Sequence, residues 1–151
     1  MGLVAAALAL AGCGGSGGGD TSTAPALNAT VTKAQFLKKA KAICAQGTAE
    51  LGRLDVAAWK RYDPNNASEA TRDKVALALL PARERELRRL RAVGLPKGSA
   101  DYVNRMLTAW EEGIEKGKAH PRSLRETGYN FAFYEAYSMG NDYGLESCWL
   151  G

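Results

Sequence analysis

Chemistry in this chain would fall to a few side chains: three cysteines, one histidine and a short glutamate run. His120 is the sole histidine, so a histidine metal cluster, a Ser-His-Asp triad or a Cys-His dyad would each depend on it. It stands beside Pro121 at the end of a helical pattern, a place that suits interaction with the last helix carbonyls. Glu111, Glu112 and Glu115 resemble the start of a carboxylate metal site. Helical di-metal bundles, however, pair Glu-x-x-His motifs, and the sequence contains none. These glutamates therefore read as a solvated helix face. No nucleophile, base and orienting group stand at an interpretable spacing. The expectation is a non-enzymatic protein with no cofactor and no metal.

Cys13 has a different chemistry. It follows an uncharged apolar stretch at positions 3–10, far shorter than the roughly 20 residues that span a bilayer. Leu10, Ala11, Gly12 and Cys13 resemble the bacterial lipobox, in which the cysteine thiol takes a diacylglycerol thioether and the peptide is cut just before it. Small side chains admit the backbone to a peptidase site within the membrane, and only a thiol supplies the thioether. At about 0.8 kcal/mol per buried CH₂, two chains of palmitate length hold a protein to a membrane far more firmly than one. The first basic residue is Lys33, so the positive opening of a signal peptide is missing, and a start codon placed too far downstream is the expectation. Residues 1–12 then form the lipoprotein signal peptide. Residues 13–31 carry the lipidated Cys13 and a flexible Gly/Ser tether with little apolar content to order it.

Composition limits the rest of the chain. Residues 32–151 are enough for one small domain with a single core. A formal charge of +4 suits anionic lipid headgroups or an anionic wall polymer only weakly. Export disfavours nucleic acid as a partner. With Cys13 spent on lipid, Cys44 and Cys148 remain as an even pair in an oxidising compartment, where two thiols bond to each other.

Helical periodicity supplies the scaffold for these residues. Thr32 and Gln35 make a capping box, and Phe36, Leu37, Ala40, Ile43, Cys44, Gly47, Leu51, Leu54 and Ala58 follow on one face. That spacing points Cys44 into the core, with Lys38, Lys39, Lys41 and Arg53 on the other side. Pro64 and two asparagines break this helix, and Ser68 opens the next. The second helix carries Val75, Ala76, Leu79 and Leu80, meets Pro81 with an expected kink or break, and resumes with Leu87, Leu90 and Val93. Ser99 can cap a third helix bearing Val103, Met106, Leu107, Trp110 and Ile114. In the last segment Ser123 offers a cap, while Tyr129, Phe131 and Phe133 alternate as a strand would. Glu126, Ala132, Glu135, Ala136 and Met139 favour helix. The fold expected is all-α, an antiparallel bundle of about four helices after a disordered signal and tether.

Three stretches, KAQFLKKAKAICAQ, LRRLRAVGLPKG and DYGLESC, resemble the small predicted lipoproteins of actinobacteria. These share a helix ending in Ile-Cys, a leucine-rich turn before proline and a Tyr-Gly-Leu-x-x-Cys finish. The resemblance implies pairing of Cys44 with Cys148 and brings neither an established activity nor a catalytic residue.

Two features bear on binding. Arg85, Arg88 and Arg89 lie opposite Leu87 and Leu90, where they could meet lipid phosphates or anionic polymer. Glu84 stands four before Arg88, in the favourable orientation for an intrahelical pair. The aromatic C-terminal end either fills the core or lines a pocket for a hydrophobic ligand, with Trp110, Phe133, Tyr134 and Tyr137 as the lining. The functional expectation is a membrane-anchored extracytoplasmic lipoprotein at the cell membrane that contacts an envelope partner. The alternative is a binding module for a small apolar or lipid-like ligand.

Overall fold

The computed structural model describes residues 29–148 and is an all-α bundle. Its helices are α1 (Lys33–Trp59), α2 (Glu69–Ala92), α3 (Ala100–Ala119) and α4 (Tyr134–Tyr143). Helices α2 and α3 run antiparallel, as their ion pairs show. Glu111 of α3 meets Arg91 of α2, whereas Lys118, two turns on in α3, meets Glu84, two turns back in α2. The core gathers Phe36, Ala40 and Cys44 from α1, Leu80, Leu87 and Leu90 from α2, and Val103, Met106, Trp110 and Ile114 from α3.

The capping box at the start of α1 is present. Gln35 N–H donates to Thr32 Oγ1 at 3.2 Å, and the Gln35 side chain accepts from Thr32 N–H at 2.9 Å. Just before it, β1 (Ala29–Val31) pairs in parallel with β2 (Leu95–Pro96), and Lys97 N–H donates to the Val31 carbonyl at 2.8 Å. The last three residues assigned to the tether thus belong to the fold, tied to the α2–α3 connection. Between α1 and α2, Asp63 accepts from Asn65 N–H at 2.9 Å, and Arg72 reaches back to the Pro64 carbonyl at 3.0 Å.

Pro81 does not break α2, which runs unbroken from Glu69–Ala92. Its ring is exposed, so the one internal hydrogen bond it removes lies where water can replace it. Two expected caps have other duties. Ser99 precedes α3 but makes no side-chain cap bond, because its hydroxyl pairs with the Tyr143 hydroxyl. Ser123 is buried in a 3-10 turn (Pro121–Leu124), where its hydroxyl donates to the His120 carbonyl at 2.7 Å.

The aromatic run is neither strand nor the start of a long helix. Gly128 takes φ +61°, opening a second 3-10 turn (Gly128–Asn130), and α4 begins only at Tyr134. This irregular segment lies close to α3 because Gly113 and Gly117 have no side chains. A Cβ on Gly113 would stand 2.6 Å from Phe133, and one on Gly117 would collide with Leu124. Gly144 ends α4 at φ +95°, with its N–H and that of Leu145 closing on the last helical carbonyls. The chain then turns back through a 3-10 turn (Glu146–Cys148) packed on α1. There Cys148 forms a disulfide with Cys44, their Cα atoms 4.5 Å apart and both residues fully buried.

Candidate functional site

A groove of about 400 Å³ opens between α1, α2 and the irregular segment ahead of α4. Helix α1 lines it with Leu51, Gly52, Asp55 and Trp59. From α2 come Arg72, Val75, Ala76, Leu79, Leu80 and Arg83, and from the irregular segment Leu124, Arg125, Phe131 and Phe133. The lining follows from helical spacing, since residues 72, 75, 76, 79, 80 and 83 are successive positions on one face of α2. A volume of this size falls in the range of about 300–1,000 Å³ found for small-molecule sites.

The groove is not where the four expected pocket residues converge. Phe133 lines it, but Trp110 is fully buried in the core, and neither Tyr134 nor Tyr137 is on its wall. Tyr134 stacks at a tilt on Tyr129, centroids 4.5 Å apart, and Tyr137 is 41% exposed. The irregular backbone separates these residues. It turns Phe131 and Phe133 towards α2, leaving the first turn of α4 to carry its tyrosines outwards.

Three arginines and one aspartate border the apolar wall. Arg125 is held by Asp73 at 2.6 Å and Glu69 at 2.9 Å, which push its pKa above the ordinary value. Arg72 donates to the carbonyls of Pro64 and Ala67. Arg83 is the most enclosed, its side chain 16% exposed. It donates to Glu86 Oε2 at 3.2 Å and to the Cys148 carbonyl at 3.4 Å, and its guanidinium lies 6.0 Å from the Phe133 ring centre. Burial pushes its pKa down.

Glu86 escapes a reading by sequence pattern. It is 2% exposed, and Oε1 has no hydrogen-bond partner among the described residues. Burial raises its carboxyl to about 7, against the opposing pull of Arg83. Glu50 adds to the rise and Arg89 opposes it. The signal available was its place four before Leu90 and four after Ala82, on the buried face of α2. What admits a carboxylate there is Gly47 across the interface, where a Cβ would come within 2.5 Å of Glu86.

The remaining candidates are solvated. His120 is exposed at the end of α3, its backbone N–H donating to the Lys116 carbonyl at 2.8 Å. Glu111 forms two hydrogen bonds with Arg91, at 3.2 and 2.8 Å, and Glu115 pairs with Lys118 at 2.8 Å. Glu112 is exposed. No metal-binding group of His, Cys, Asp or Glu occurs among the described residues. Arg88 and Arg89 are exposed, but Arg85 is drawn to Glu50 at 2.6 Å. Glu84 pairs across the helix interface with Lys118 at 2.9 Å, not with Arg88. No described helix is long and apolar enough to cross a membrane. Cys13 lies outside the described residues.

Comparison with protein-family models, curated proteins and solved structures finds no match to this chain.

Proposed function

We propose that this chain is a lipid-anchored extracytoplasmic protein whose bundle is a non-catalytic binding module for a small apolar or lipid-like ligand. The groove beside Phe131 and Phe133 carries the proposal, having a mainly apolar wall with a few charged groups at its border, being open at the surface and of small-molecule size. Cys13 in its lipobox-like context supplies the anchor and the location. A tether between anchor and domain leaves the groove free to meet a ligand near the membrane surface.

Trp59 lines the groove while Trp110 is sealed in the core, and in a Trp149→Phe background, which removes the third tryptophan, Trp59 gives a direct reporter. Titrating the full chain with dodecanol below its solubility limit is expected to shift Trp59 emission saturably. Gly52→Phe fills the groove from α1 at a position with nothing within 4 Å of its Cβ, and it is expected to abolish the response without lowering the melting temperature. An unsaturable response, or one unchanged in Gly52→Phe, would defeat the reading.

A further inference from the structure

We propose that the groove is specific for a single-chain amphiphile with a carboxylate head, whose head binds Arg83 while its tail lies along α2. This inference rests on the groove being a ligand site and adds the chemical class of the ligand. Arg72 and Arg83 mark the two ends of the α2 wall, and eleven residues at about 1.5 Å per residue separate them by roughly 16 Å. Only apolar side chains of α2 line the groove between them: Val75, Ala76, Leu79 and Leu80. An alkyl chain of about a dozen carbons suits that strip, and one end of the strip offers a charge.

The charge favours Arg83 over the other arginines. Arg125 is already held by two carboxylates, and Arg72 is committed to two carbonyls of the α1–α2 connection. Arg83 is enclosed, where a charge pair gains more than it does in water. Arg83 directs the same nitrogen, Nη1, to both Glu86 Oε2 and the Cys148 carbonyl, and the second oxygen of Glu86 has no donor among the described residues. A guanidinium presents five donors in a planar fork matched to a carboxylate, so a ligand head can bind it side-on. When it does, Glu86 gives up Arg83 and stays neutral, already protonated below pH 7 and taking a proton from solvent above it, which leaves one negative charge beside the guanidinium rather than two. The charged groups acting on Glu86 are Arg83 and Arg89 from its own helix and Glu50 from α1, while Gly47 of α1 and the Cys148 carbonyl add no titratable group.

The test compares dodecanoate, dodecanol and dodecyltrimethylammonium binding to the full chain by calorimetry between pH 6 and 8, where the carboxylate ligand stays charged. Dodecanoate is expected to bind about tenfold more tightly than dodecanol at pH 6, and its affinity to fall as pH rises through 7. Arg83→Met alone strands a buried Glu86, so the informative variant is the double change Arg83→Met with Glu86→Leu, which removes both charges. It is expected to lose the preference for dodecanoate over dodecanol and to lose the pH dependence. Equal affinity for the alcohol or the ammonium in the wild type overturns the inference while leaving the groove a ligand site. A preference that survives in the double variant also overturns it. Absence of binding by all three amphiphiles overturns both the inference and the proposed function.

Discussion

Gly47 and Glu86 fit each other across the α1–α2 interface, since a methyl group on Gly47 would stand 2.5 Å from the Glu86 carboxylate. The glycine makes room for a buried acid. Gly47→Ala is expected to destabilise the protein by about 1–3 kcal/mol through overpacking, despite alanine's better helix propensity. Gly52, five residues on in the same helix, has nothing within 4 Å of its Cβ, so Gly52→Ala should stabilise by about 0.5–1 kcal/mol. Denaturant melts of the two variants check the contrast, and equal effects would deny the close approach.

Glu86 also sets a pH dependence. Its folded carboxyl sits at about 7, above the ordinary 4.5, so between these values the folded state holds a proton that the unfolded state has released. Stability from this residue is therefore greatest below about 4.5 and falls as pH rises through 7, by roughly 2–4 kcal/mol in all. Glu86→Gln should flatten that part of the profile. Glu50, Glu69 and Glu111 have carboxyls held low by Arg85, Arg125 and Arg91 and act in the opposite sense at acid pH. The difference between wild type and Glu86→Gln, measured by urea denaturation at pH 5 and 8, isolates Glu86.

The Cys44–Cys148 bridge closes a loop of nearly the whole domain, with a sequence separation of 104. Chain entropy puts its contribution at about 4–5 kcal/mol as an upper figure. Cys44→Ser and Cys148→Ser should each lose a similar amount, and the double variant little more. Non-reducing peptide mapping checks the bond itself, and free thiols at both positions in protein from its native source would contradict it.

Cys13→Ala should move the protein from the membrane fraction to soluble or unprocessed forms. Mass spectrometry of the mature amino terminus provides the check, with a diacylated Cys13 expected. An unmodified terminus elsewhere would rule out the anchor.

Local signals carried far into the fold. The Thr32–Gln35 box and the face of α3 from Val103 to Ile114 each depend on residues within a few positions, and each is found as the spacing implies. The cysteine pair was legible by elimination and by the resemblance. What escaped depends on partners distant in the chain. Glu84 reaches Lys118, not Arg88, because an antiparallel neighbour offers a cation closer than its own helix does. Ser99 forgoes capping for Tyr143, a residue 44 positions away. Alternation at Tyr129, Phe131 and Phe133 could not reveal that Gly113 and Gly117 would let this segment lie irregularly against α3. The groove escaped for the same reason, since its walls come from α1, α2 and that irregular segment.

The most direct test of the groove as a ligand site is residue-resolved: heteronuclear NMR of the full chain titrated with dodecanoate at pH 6. Saturable shifts are predicted at Leu51, Gly52, Trp59, Leu79 and Phe131 on the groove walls, with the Arg83 guanidinium among the signals that move. Shifts confined to the exposed Tyr129 and Tyr137, or none that saturate, would contradict it.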